Sequence, residues 1–209
     1  MTHARYNTSG GIKGMLEDCA NTVFDSLDKD RQAIARAIFL QLVTVDAIEH
    51  QDGTLPKDTR RPYPLSKLSQ SPAHKSHVNT VVDEFTKNRL LVTRKDTTSD
   101  DFVVDVIHEV LLREWSRFKK WIDEDRSRIR WIQRVGEKAK HWKDKEGDLM
   151  RRRELATFAP DYKTYVGPWK TIFTGKVDSE YAELTRYFRK SILGFLTPFL
   201  VAGGIVATL

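Results

Sequence analysis

Between Arg89 and Ile107 the chain changes its hydrophobic period, and that change limits the folds open to it. "RLLVTR" at Arg89–Arg94 and "FVVDVI" at Phe102–Ile107 are β-rich runs on either side of the polar "KDTTSDD". Such a pair reads as a β-hairpin with a polar loop. On both sides of it the apolar residues recur three or four apart, as on one face of a helix. Upstream, Gly10–Leu27 carries Ile12, Leu16, Ala20 and Val23 on one face. Lys29–Val45, capped by Asp28, carries Ile34, Ile38, Phe39 and Leu42; Thr80–Asn88, capped by Asn79, carries Val81, Val82 and Phe85. Downstream, Leu111, Trp115, Phe118 and Ile122 form one stripe, and Trp131, Val135, Ala139 and Trp142 continue it. Three helices followed by a hairpin is the order of a winged helix.

The segments between these elements read as irregular. Asp46–Tyr63 is polar with glycine and two prolines, Pro64–Leu68 is a brief helical turn, and Ser71–Ser76 is loop. Past Leu149 the periodicity weakens: Pro160–Lys176 reads as irregular and Ser179–Lys190 as a short helix. The expected fold is therefore mainly α with a small β-hairpin. A helical lead and winged-helix domain would span 10–125, a basic helical extension and linker 126–190, and a hydrophobic segment 191–209.

That last segment is distinct. Ile192–Leu209 has no charged residue and would measure about 27 Å as a helix. Its apolar side chains, among them Ile192, Leu193, Phe195, Leu196, Phe199, Leu200, Val201, Ile205 and Val206, favour insertion by roughly 3 to 6 kcal/mol, a margin that Pro198, Gly203 and Gly204 reduce. Arg186, Arg189 and Lys190 precede it, as expected where the N-terminal side stays in the cytoplasm. The expectation is a single C-terminal span at the cytoplasmic face of the inner membrane.

Charge is concentrated locally. The formal net charge is +6, yet Arg126–Arg153 alone holds eleven Lys or Arg against four acids, so the remainder is near neutral. A solvated helix face explains most of that basic stretch, and contact with anionic lipid head groups is the other reading. Cys19 is the only cysteine, so no disulfide closes within the chain.

Motifs for catalysis do not assemble. "HE" at His108–Glu109 begins like a zinc-protease helix, but that chemistry needs a second histidine four residues on, where Leu112 stands. Gly175–Lys176 is followed by Val177 rather than a hydroxyl residue, and Lys170 occupies the place of the first glycine of a phosphate loop. No catalytic residue and no metal site is expected, and the chain reads as a non-enzyme. Helix Thr80–Asn88 would be the reading helix of a winged-helix DNA binder, but Asp83 and Glu84 offset Lys87 on it, so nucleic acid is not the favoured partner.

The run "VIHEVLLREWSRFKKWIDEDRSRIR" resembles a segment of bacterial STAND-class signalling NTPases, relatives of NB-ARC proteins. "GGIKGMLEDCANTVFDSL", "RQAIARAIFLQLV", "DTRRPYPLSKL" and "VVDEFTKNRLLVT" look like the same family in the same order, over roughly Gly10–Asp148. The resemblance implies the helical and winged-helix region that follows an ATPase core. It also implies that His108 stands where relatives contact the β-phosphate of ADP, with Glu109 at the adjoining acidic position. The alternative for His108 is a helix cap or a packing residue. ADP or ATP would be a cofactor only where a separate P-loop core is present. The implied function is a non-catalytic regulatory module of a membrane-associated signalling or defence protein. It would act as a switch arm or a partner-controlled membrane effector, with a STAND-type core, a sensor or a protease as protein partner. A membrane-tethered DNA-binding regulator and a membrane-perturbing toxin are the other readings.

Overall fold

The structure is a computed structural model and describes residues 11–46, 57–68, 72–97, 99–172 and 179–206. It is mainly helical with two small antiparallel sheets. The chain divides into two compact units, one of Met1–Arg130 with Ile172–Lys176 and one of Trp131–Thr171 with Val177–Leu209.

In the first unit, α1 (Gly11–Asp25) and α2 (Lys29–Gln41) are joined by a tight connection. Asp28 caps α2 as expected, its Oδ1 accepting from the Arg31 amide at 2.8 Å. The helix expected as far as Val45 stops earlier. Leu42 is its C-cap, and Val43–Thr44 becomes strand β1, paired with β2 (Thr59–Arg60). The β-branched "VTV" that follows Leu42 favours that exit.

Strand β3 (Tyr63–Pro64) then leads into the short helix α3 (Leu65–Leu68). Two-residue strands show no periodicity, which is why Asp46–Tyr63 read as loop throughout. Helix α4 spans Pro72–Lys87, beginning well before the expected cap Asn79. Proline is tolerated in a first turn, and Val78 extends the buried stripe of Val81, Val82 and Phe85 one turn upstream.

Arg89 ends α4 with φ of 56°, in the left-handed region. The Leu90 amide reaches back to the Phe85 carbonyl (2.9 Å) and the Arg89 amide to Thr86 (3.0 Å), a Schellman closure. The chain then enters the hairpin of β4 (Leu91–Lys95) and β5 (Phe102–Val106), in register from Leu91 opposite Val106 to Lys95 opposite Phe102. Strand β3 adds to the other edge of β5, with Tyr63 opposite Val104. The order helix, helix, helix, hairpin is therefore present, with α3 and a third strand added.

After the hairpin come α5 (Val110–Glu114) and α6 (Ser116–Lys143), and the division between units falls within α6. Trp115 separates the two helices in an extended conformation (ψ 96°). Its buried indole is the centre of the first unit's core. Ring centroids of Phe39, Trp121, Phe118, Phe85 and Phe24 lie 5.0 to 6.4 Å from it, mostly edge-on or tilted. Such pairs each contribute about 0.5–1.5 kcal/mol beyond burial.

The second unit takes the later part of α6 with α7 (Arg152–Ile172) and α8 (Ser179–Val206). The stretch expected to be irregular from Pro160 is helical to Ile172, and 173–176 lie outside the described residues. Proline in a helix interior costs about 3 kcal/mol. Here Trp131 draws Phe158, Tyr162, Tyr165 and Phe188 around itself at 6.0 to 6.3 Å, and Tyr162 stacks on Phe188 at 4.4 Å and 9°. That packing outweighs the local preference.

The membrane span expected over Ile192–Leu209 is not found. Among the described residues no helix is long and apolar enough to cross a membrane. Instead α8 joins the charged Ser179–Lys190 segment and the apolar run in one helix. The side chains from Leu196 to Val206, and residues 207–209, lie outside the described set.

Candidate functional site at the sheet-to-helix junction

His108 lies between the end of β5 and the start of α5, and the backbone around it is tied on both sides. Upstream, the Ile107 amide donates to the Leu90 carbonyl at 3.2 Å. Downstream, the carbonyls of His108 and Glu109 accept from the amides of Leu111 and Leu112, both at 3.0 Å. Leu111 and Leu112 are buried, so the five-residue helix is anchored by its apolar side. The side chains of His108 and Glu109 are exposed, and Val110 beside them is 42% exposed. A fixed backbone thus presents an imidazole, a carboxylate and an aliphatic group to the outside.

Glu109 occupies the N-cap position of α5 with helical backbone angles, and its carboxylate makes no capping bond. Neither side chain of the pair is consumed by local structure. An exposed imidazole can donate to an anionic oxygen or accept from a donor according to its protonation. Leu112, four residues beyond His108, is a core residue.

Sequence reading missed the charges one turn of strand upstream. Asp105 is buried on β5, its side chain 4% exposed. Its Oδ2 lies 3.5 Å from Arg60 Nη1 and 3.8 Å from Arg94 Nη1. The same Arg60 nitrogen donates to the Val106 carbonyl at 3.0 Å, fastening β2 to the last residue of β5. Arg94 and Asp105 share a face because Val92 lies opposite Asp105, and Arg94 is two residues along. A lone acid inside "FVVDVI" was the available signal, since a buried carboxylate requires a partner.

A second network holds α6 against the β1–β2 ends. Arg126 donates to both oxygens of Asp58 (2.8 and 2.9 Å) and to Asp123 (2.8 Å). These bonds, Asp58 first, raise the guanidinium far above its ordinary range against the opposing effect of burial. Asp58 also accepts from the Asp46 amide at 3.0 Å, and Arg130 Nε donates to the Asp46 carbonyl at 2.6 Å. On the expected DNA-reading helix, Lys87 is paired with Glu84 at 3.0 Å and Asp83 is exposed. Cys19 is half-buried, its Sγ 3.9 Å from the Asn88 carbonyl. Among the described residues no group of His, Cys, Asp or Glu is arranged to hold a metal ion.

In comparison with known proteins, the chain matches the family model described as Novel STAND NTPase 1 over residues 1–149. No curated protein and no solved structure matches significantly. The matched span contains every element that builds the His108 junction, from α1 through α6, and covers most of the chain. By its α1–α6 region, this chain belongs to the Novel STAND NTPase 1 family.

Proposed function

We propose that the chain is a non-catalytic regulatory module of a STAND-type signalling or defence protein, and that its first unit is a winged-helix switch arm. The family match supports a role of this class. The observation that carries the finer reading is His108. It is an exposed imidazole on a backbone held by the Leu90, His108 and Glu109 carbonyls, with no structural task of its own visible among the described residues. In this reading the arm rests on an ADP-loaded P-loop core, with His108 donating to a phosphate oxygen. It is released when the core changes state, which requires a difference in contact energy between the two states.

The test is nucleotide release. A purified P-loop core of the same family, loaded with a fluorescent ADP analogue, is mixed with the full chain. The chain slows release, and His108→Ala abolishes the slowing while leaving the fold intact. Equal slowing by wild type and His108→Ala, or none by either, overturns the proposal.

A further inference from the structure

We propose that the outer face of α8, with the adjoining edge of α7, is a docking surface for an anionic lipid bilayer. Arg186, Arg189, Lys190 and Leu193 follow the spacing i, i+3, i+4, i+7 and so share one face of α8. All four are exposed, Leu193 at 58%. The opposite face, with Leu184, Tyr187, Phe188 and Ser191, is buried. Ile192, 37% exposed, stands beside Arg189 and borders an open groove of about 320 Å³. Arg152, Leu155, Ala156, Ala159 and Phe195 complete that groove, with the Arg152 guanidinium 5.7 Å from the Phe195 ring centre.

The cations of this face are not neutralised. Glu183 is taken by Lys143, and Glu154 by Lys138 at 2.7 Å. Asp161 is nine residues from Arg152, on the opposite side of α7. Arg186, Arg189 and Lys190 have no acidic partner among the described residues. An uncompensated basic face calls for an anionic partner. Aliphatic side chains set among those cations favour lipid over nucleic acid, because they enter the head-group boundary while the Arg and Lys stems extend to the phosphates. The uncharged sequence from Ile192 to Val206 continues the apolar part of that character. This inference does not depend on the role of His108.

The experiment is co-sedimentation of the full chain with vesicles of phosphatidylcholine alone and of equimolar phosphatidylcholine and phosphatidylglycerol. The chain binds the mixed vesicles, and raising salt releases it. Arg186→Gln, Arg189→Gln and Lys190→Gln together weaken binding by about five-fold per charge, on the order of 100-fold in all. Should the triple variant melt abnormally, Leu193→Glu carries the same test. Equal binding to neutral vesicles, wild-type binding by a folded variant, or salt-sensitive binding to duplex DNA or RNA without vesicle binding overturns the proposal.

Discussion

The indole Nε1 of Trp115 donates to Oδ1 of Asn21 at 2.9 Å, a bond between α1 and the break that separates α5 from α6. One turn earlier on α1, Glu17 accepts from the Ser116 amide at 3.1 Å. The first bond satisfies a buried side-chain donor, and the second satisfies the amide that the break leaves outside helical bonding. Asn21→Ala strands a buried indole N–H and lowers stability by about 1–3 kcal/mol. In a Trp115→Phe background the same change costs far less, because no donor remains. Urea unfolding of the four proteins in the cycle measures the coupling, and a coupling near zero refutes the role given to this bond.

Arg126 and Asp58 are each largely buried, with side chains 16% and 15% exposed. Arg126→Leu leaves Asp58 without its bidentate partner and costs about 3 kcal/mol. Asp58→Asn with Arg126→Leu costs less than the sum of the single changes. Chemical unfolding monitored by tryptophan fluorescence gives the comparison.

Arg89 adopts φ of 56° where it closes α4, a conformation that penalises any side chain by about 1–2 kcal/mol. It is exposed. Arg89→Gly therefore raises stability by about 0.5–1 kcal/mol, after the greater flexibility of glycine in the unfolded chain is discounted. A rise in the thermal midpoint checks this.

Glu154 accepts from Lys138 and, next in weight, from the Arg151 amide at 3.0 Å; both hold its carboxyl below the ordinary value of 4.5. The unfolded chain binds that proton more readily than the folded one. The stabilisation is thus fully present above 4.5 and is lost as pH falls through the lower folded value. Glu154→Gln lowers the thermal midpoint at neutral pH, and the gap from wild type closes in acid. A gap independent of pH contradicts the assignment.

His108→Ala and Glu109→Ala change stability by no more than about 0.5 kcal/mol, because both side chains are exposed and Glu109 makes no capping bond. Calorimetry distinguishes this from a packing role, in which His108→Ala would lower the midpoint by several degrees.

The long stripes were legible in the sequence. Leu111, Trp115, Phe118 and Ile122 are all buried, as their spacing requires, and the hairpin at Leu91–Val106 follows from its two β-rich runs and polar loop. The break at Trp115 was not legible, since a tryptophan at a core position reads as helix until Glu17 is seen to take the Ser116 amide. Strands β1, β2 and β3 were hidden because two residues carry no period. The helix through Pro160 was hidden because local propensity argues against it. Within the candidate site, His108 and Glu109 were visible as a motif. Arg60 and Arg94 reach Asp105 from two other strands, forty-five and eleven residues away, and only pairing reveals that.

The sequence by itself determined which residues must leave water, because hydrophobic periodicity is a local property and burial follows from it. It also held the family blocks that place His108 before its helix. The tertiary structure alone decided which charges meet. Asp105 with Arg60, Asp58 with Arg126, and Glu154 with Lys138 are partners across distance in the chain. It likewise decided that Arg186, Arg189 and Lys190 meet no acid among the described residues. The physical reason is that the energy of an ion pair depends on separation in space and on the surrounding dielectric, and neither is written in the spacing of residues.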